Sequence, residues 1–309
     1  MKHISIVTPC YNEEENVELL YEKVKQVFKE LDTYTYEHLF IDNASEDHTQ
    51  EILRKLSDSD SNVKVILNSR NFGHIRSPYY GLQQSTGDAV ILMVCDFQDP
   101  PEMIPQFLEK WVQGNKIVIG VKNKSRESSW MFSIRKSYYR LVNRLADVQL
   151  VDNFTGFGLY DRSIVEILRD MDDPYPYFRG MIAEIGFDIA TIPFTQPRRH
   201  RGITKNNFYT LYDIAMLGFT SHSKVPLRLA TMMGFALAIL SLIVAFGYLI
   251  AKLLFWNLFS LGMAPLLITV FFFASVQLFF IGIVGEYVGA IHTKTMKRPL
   301  VIEKERINF

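Results

Sequence analysis

An excess of either charge is what this chain most plainly lacks: 33 lysines and arginines face 33 aspartates and glutamates. That balance leaves no global field for a polyanion, so no nucleic-acid partner is expected and any charge recognition must be local. Cysteine is also scarce. The two residues, Cys10 and Cys95, sit in separate apolar runs without a C-x-x-C pair, which excludes a zinc ribbon and fits a reducing compartment. No Gly-x-Gly-x-x-Gly and no Gly-Lys-Ser/Thr loop occurs, so the dinucleotide and P-loop modes of phosphate binding are excluded. Internal repeats and low-complexity tracts are missing. The start, Met1-Lys2-His3 followed by Ile4-Ser5-Ile6-Val7, is too short and strand-like for a signal-peptide core, so the first domain is expected to stay in the cytosol.

Long uncharged runs are present. Leu229 to Ile250 and Ala264 to Val284 carry no charge, and each is long enough for a hydrocarbon core of roughly 30 Å, which takes about 20 helical residues. Buried helices of a soluble bundle would show a polar stripe that these lack. Arg198, Arg199, Arg201, Lys205, Lys224 and Arg228 precede the first run, and Lys294, Lys297, Arg298, Lys304 and Arg306 follow the second. The connecting turn holds only Lys252, so the positive-inside rule predicts a helical hairpin with both termini cytosolic.

The first two hundred residues alternate strand-like and helix-like segments. Ile4 to Val7, His38 to Ile41, Val63 to Leu67 and Ala89 to Val94 read as strands; Glu14 to Leu31, Thr49 to Leu56, Ser77 to Ser85 and Glu102 to Gln113 read as helices. This is the pattern of a Rossmann-like α/β domain with a mostly parallel sheet, whose ligands bind at the carboxyl ends of the strands. Polar residues collect at those ends: Thr8 to Glu13, Asp42 to Asp47, and Cys95 to Pro101. Such a crevice offers acceptors for a base and ribose and oxygen ligands for a hard divalent cation.

Pro9-x-Tyr11-Asn12-Glu13, Asp42-x-x-Ser45-x-Asp47-x-Thr49, Asp96-x-Gln98-Asp99-Pro100-Pro101-Glu102 and Arg199-x-x-Gly202-x-Thr204-Lys205 occur in that order ahead of the apolar runs. Together they resemble family 2 glycosyltransferases, and more narrowly the dolichyl-phosphate mannose synthase branch with its bacterial bactoprenol glucosyltransferase relatives. The resemblance extends to Gly285-Glu286-Tyr287 and Lys297-Arg298-Pro299-Leu300. It implies a GT-A catalytic domain over residues 1–205, a juxtamembrane amphipathic helix over 206–226, two transmembrane helices within 227–291 (about 229–251 and 264–287), and a cytosolic tail over 292–309.

By the same resemblance Pro9, Tyr11, Glu13 and Asp42 cradle the nucleoside, Cys95 borders it, and Lys122, Arg199 and Lys205 bind the donor phosphates. A tyrosine ring can pack on a base and a carboxylate can accept from an imide or hydroxyl; a turn-forming role for Asp42 stays open beside this. Asp47 and Ser45 read first as turn and capping residues. The family's paired aspartates are incomplete, because Val94 stands at the first position. Asp96 and Gln98 remain as ligands for Mg²⁺ or Mn²⁺, with diphosphate and water completing the shell. With Arg199 and Lys205 they form the expected catalytic set. Many relatives carry an acidic residue and an arginine near Gly156 and Gly158, both missing here, so acceptor contacts are assigned to His74, Arg76, Arg162, Arg179, Glu184 and Arg201.

Asn206 to Ser221 spaces Phe208, Leu211, Tyr212, Ala215, Met216 and Phe219 as an interfacial helix would. The implied activity is inverting transfer of a hexose, glucose or N-acetylhexosamine, from a nucleotide-diphosphate sugar to polyprenyl (undecaprenyl) phosphate at the cytosolic face of a multi-pass cell membrane. Self-association into a homo-oligomer is expected from small residues along both spans. The alternatives are a GDP-mannose enzyme of the dolichyl-phosphate mannose synthase type and, in another class, a non-catalytic membrane scaffold. A processive synthase is excluded, since its Gln-x-x-Arg-Trp motif is missing.

Overall fold

A computed structural model describes residues 1–122, 151, 153–197, 225–255, 263–296 and 298–309. The chain opens with β1 (Lys2–Cys10), α1 (Val17–Lys29), β2 (Tyr34–Asp42), α2 (Thr49–Ser59), β3 (Val63–Asn68), α3 (Gly73–Gln84) and β4 (Ala89–Leu92). After a 3-10 turn at Pro101–Met103 come α4 (Ile104–Val112), β5 (Ile117–Lys122), β6 (Phe154–Asp161), α5 (Arg162–Asp170), α6 (Phe178–Glu184) and β7 (Ile189–Phe194). Two long helices, α7 (Val225–Leu254) and α8 (Met263–Thr295), precede a last strand, β8 (Glu303–Ile307).

The eight strands form one sheet in the order β7-β5-β6-β4-β1-β2-β3-β8. Pairs β1/β2, β1/β4, β2/β3 and β5/β7 are parallel, while β6 runs antiparallel to both β4 and β5. The predicted strands and helices of the first half are present with shifted ends. The helix expected from Glu102 begins as a 3-10 turn because Pro101 and Pro105 remove amide donors from its first turns.

Alternation along the strands splits the core into two layers. Ile4, Ile6 and Phe40 pack with Val24 and Phe28 of α1, Leu53 of α2, and Phe107 and Trp111 of α4. Val7, Leu39 and Ile41 face the other way, against Tyr79 and Leu82 of α3, Ile164 and Leu168 of α5, and Met181 of α6. Helices on both faces of a central run of parallel strands make this the GT-A-like arrangement that the alternation predicts.

The stretch set apart as a tail contributes the end of α8 and an edge strand. β8 pairs antiparallel with β3, from Val65↔Ile307 to Asn68↔Glu303. Arg54 forms a two-pronged ion pair with Glu305, and Tyr80 donates to Glu303 at 2.9 Å. The Asn308 amide donates to the Ser57 and Val63 carbonyls at 2.7 and 2.9 Å. Lys294, on the last turn of α8, pairs with Asp173 at 3.0 Å.

Within the described residues one stretch, Phe272–Thr295, is long and apolar enough to cross a membrane, and Leu227–Ser241 is a shorter apolar one. Phe235, Ile243, Leu278 and Phe279 on α7 and α8 are all well exposed. The expected interfacial helix, with Arg199, Arg201 and Lys205, lies outside the described residues.

Candidate active site

Three loops, following β1, β2 and β4, meet at the carboxyl ends of adjacent parallel strands. Each holds one non-glycine residue in the left-handed region: Asn12 at φ 56°, Ala44 at φ 61° and Phe97 at φ 60°. L side chains disfavour that conformation, and such strain persists where surrounding bonds enforce it, characteristically at binding sites.

Those bonds tie the first two loops together. The Asn12 N–H donates to Ser45 Oγ at 2.9 Å, and Asn12 Oδ1 accepts the Glu46 N–H at 2.9 Å. Glu13 N–H donates to Thr49 Oγ1 at 2.9 Å, and Glu14 N–H donates to Asp47 Oδ2 at 3.2 Å. Ser45, Asp47 and Thr49 therefore act as braces, which agrees with the reading of Ser45 and Asp47 as turn and capping residues.

Asp42 anchors the braces. Fully buried, it accepts the Ser45 N–H at 3.0 Å, the Gln50 amide at 2.7 Å and the Ser45 hydroxyl. Burial raises its carboxyl above the ordinary value, and the Ser45 and Gln50 donors only partly counter that. Tyr11 and Glu13 are half-buried on the neighbouring loop, where Glu13 also accepts the Asn16 amide at 2.6 Å.

The third loop is closed by a carboxylate that sequence reasoning passed over. Asp99, buried, accepts the Val94 N–H at 3.1 Å and curls residues 94–99 into a turn. Its carboxyl is pushed up to about 7, chiefly by burial, with the Val94 amide and Lys122 working against burial and the Asp96 charge adding to it. Asp96 is buried beside it, and its Oδ1 accepts the Gln98 N–H at 3.1 Å. Cys10 ends β1 and Cys95 stands in the turn after the adjacent β4, and their buried thiols are in hydrogen-bond contact.

Among the described residues no group of three or more His, Cys, Asp or Glu side chains is placed to hold a metal. The donors that are present, the Asp96 carboxylate and the Gln98 amide oxygen, suit a hard cation whose remaining ligands are phosphate oxygens and water. The apolar Val94 side chain supplies nothing to such a shell.

Behind this turn lies a cavity of about 260 Å³. Gln98, Asp99 and Lys122 line one part; His74 and Arg179 line another; Leu92, Phe157, Tyr177 and Phe178 supply apolar wall. Burial, then the nearby Arg179 charge, lowers the His74 pKa, so at neutral pH its ring is uncharged and Arg179 brings the positive charge.

The other acceptor candidates separate. Arg162 is carried away from the site: β6 runs antiparallel, so its end at Asp161 pairs with Ala89 at the start of β4, and Arg162 donates to the Gly87 carbonyl. Arg76 lies over the Tyr175 ring, 5.2 Å from its centroid, outside the cavity lining, and Glu184 ends α6, also outside it. The missing arginine near Gly158 has a steric reason. A Cβ there would stand 2.5 Å from the Val118 carbonyl oxygen and 3.0 Å from Ile119 Cα, so β6 admits no side chain at that point. Gly156, by contrast, borders the cavity at φ 108° with nothing nearer than 3.8 Å to a Cβ.

Comparison with known proteins gives a consistent picture. The family described as Glycosyl transferase family 2 matches residues 5–168. The bactoprenol glucosyl transferase of Shigella phage SfX is 33% identical over 98% of this chain and 99% of its own. The putative glycosyltransferase CsbB of Bacillus subtilis (strain 168) is 34% identical over 98% of this chain and 91% of its own. Among solved structures, glucosyl-3-phosphoglycerate synthase from Mycobacterium tuberculosis, in complex with Mn²⁺, uridine diphosphate and phosphoglyceric acid, superposes with a TM-score of 0.50. It is 17% identical, over 71% of this chain and 76% of that one, a likeness of fold.

Proposed function

Because the chain belongs to glycosyltransferase family 2, we propose that it transfers a hexose from a nucleotide-diphosphate sugar to polyprenyl phosphate at the cytosolic face of a membrane. The observation that carries this reading is the cavity that joins the Gln98 and Asp99 turn to the His74 and Arg179 pair. One part suits the sugar end of a donor whose nucleoside lies over Tyr11, Glu13 and Asp42. The other suits a phosphate. The full-length likeness to a bactoprenol glucosyl transferase supports a lipid acceptor and glucose as the sugar, and in this reading the donor is UDP-glucose.

In this reading Lys122, Arg199 and Lys205 neutralise the donor diphosphate, and a divalent cation held by Asp96 and Gln98 would add Lewis-acid stabilisation of the leaving group. The acceptor needs no general base, since a phosphate monoester with a second pKa of about 6 is largely dianionic at neutral pH. Arg179 supplies charge to it and His74 a neutral N–H. One acceptor oxygen attacks the sugar C1, the C1–oxygen bond to the diphosphate breaks, and its electron pair leaves with the nucleotide. A single displacement inverts the anomeric centre.

The pairing of β8 with β3 supports the hairpin topology. Strands β1 to β7 and β8 belong to one sheet, so any membrane crossing between β7 and β8 must occur an even number of times. Helices of 30 and 33 residues would span about 45 and 50 Å at 1.5 Å per residue, more than a hydrocarbon core requires. The Lys294–Asp173 ion pair holds the end of α8 beside the segment that leads to Tyr177 and Phe178 of the cavity. Lipid phosphate would thus reach the cavity from the headgroup level.

The test is purified full-length protein given undecaprenyl phosphate and a panel of UDP- and GDP-sugars, with product mass as the readout. A sugar-phosphate lipid from one donor is expected; none from any donor refutes the enzyme. Thermal stabilisation by UDP with Mn²⁺, lost in Asp96→Ala, is the result a scaffold would not give.

A further inference from the structure

We propose that Asp99 is a specificity-determining residue that accepts a hydrogen bond from a hydroxyl of the transferred sugar. The assignment rests on the donor reading above and goes beyond it by naming which group reads the hexose.

Three observations point there. Asp99 lines the cavity directly after Gln98, so a sugar whose diphosphate lies at Asp96 and Gln98 has its ring within the space that Asp99 borders. The carboxylate is also only partly used. Oδ2 takes the Val94 N–H at 3.1 Å, and among the described residues no other group donates to it. Finally, the cavity lining carries charges of both signs, with Lys122 near Asp99. A carboxylate repels the phosphates of donor and acceptor, which belong with Lys122 and with Arg179, whereas it attracts neutral O–H donors. Phe157, Tyr177 and Phe178 complete the surroundings a hexose requires, offering apolar faces to its C–H bonds while the carboxylate takes a hydroxyl.

A turn-closing role alone would explain the Val94 bond, and the experiment must separate the two. Full-length protein in lipid nanodiscs is assayed with UDP-glucose and a set of monodeoxy analogues, one for each hydroxyl, alongside calorimetric binding of UDP. Wild-type protein is expected to lose about tenfold or more in kcat/KM with one analogue. Asp99→Asn should lose a comparable factor with UDP-glucose, show no further loss with that same analogue, and bind UDP within about twofold of wild type. Asparagine keeps an acceptor for the Val94 amide, so the turn is retained.

Equal weakening of UDP and UDP-glucose in Asp99→Asn, or fully additive losses, would overturn the assignment in favour of the turn. If the variant does not fold, the wild-type series decides alone: turnover indifferent to every missing hydroxyl overturns it too. Wild-type protein that neither binds UDP nor turns over UDP-glucose refutes the UDP-glucose donor reading itself, and the assignment falls with it. That result is distinct from the others.

Discussion

Asp42→Asn and Asp42→Ala should behave as opposites despite removing the same charge. The carboxylate is fully buried and takes three hydrogen bonds, from the Ser45 amide, the Ser45 hydroxyl and the Gln50 side chain. Alanine leaves all three without an acceptor. An orphaned buried donor costs about 1–3 kcal/mol; the hydroxyl and the Gln50 amide can turn elsewhere, so the net loss is about 2–4 kcal/mol. Asparagine can keep every contact. Its oxygen accepts from Ser45 N–H and Gln50, and its amide donates to Ser45 Oγ, which needs only to rotate its hydrogen. The charge itself gives no compensating benefit, because burial raises the Asp42 carboxyl above its ordinary value. A group raised on folding contributes stability that is complete below its unfolded pKa and lost as pH rises through the folded one. Asp42→Asn should therefore stay within about 1 kcal/mol of wild type at neutral pH, and acidification should favour wild type relative to it. Thermal unfolding of the full-length variants at several pH values, followed by tryptophan fluorescence, reads this out. An asparagine variant as unstable as the alanine variant refutes the reasoning.

Other outcomes follow from single contacts. Gly158→Ala drives a methyl group into the Val118 carbonyl and must separate β5 from β6, costing about 2–4 kcal/mol; an unchanged melting temperature would refute the steric account. Glu37 is buried, and burial pushes its carboxyl up, but Lys64, Ser5 and Thr86 outweigh that and hold it below the ordinary value. The stability it contributes is present above the unfolded pKa and lost as pH falls through the folded one. Glu37→Gln should thus be less stable than wild type near neutrality, by about 2–4 kcal/mol, with the gap closing in acid-denaturation curves. Asn308→Ala removes the hydrogen bonds to Ser57 and Val63 that pin the end of β8, and a stability loss of about 1–2 kcal/mol, read as a lowered melting temperature, is expected.

Local chemistry made half of this protein legible in its sequence. Period-two and period-3.6 runs mark β1 to β4 and their helices, because backbone periodicity and burial act over a few residues. The turn-forming residues Ser45 and Asp47 announce their loop for the same reason, and the uncharged runs announce themselves by length alone. These features, with the motif order, were enough to name the family.

Long-range pairing decided the rest. No local signal tells that β6 inserts antiparallel between β4 and β5, yet that direction sends Arg162 to the far end of the sheet and leaves no room for a side chain at Gly158. β8 is a charged five-residue strand paired with β3 more than two hundred residues earlier, so its sequence reads as tail and only the sheet edge makes it structure. Asp99 carries no local signal beyond its place in the motif that ends in Pro100 and Pro101. Its place in the cavity depends on the left-handed Phe97 and on walls from β6 and α6, which come together only when the sheet is assembled. Residue type and spacing thus determined the chemistry available to this chain, whereas strand direction determined which of those groups meet, since neighbours across a sheet are set by hydrogen-bond register and not by distance along the chain.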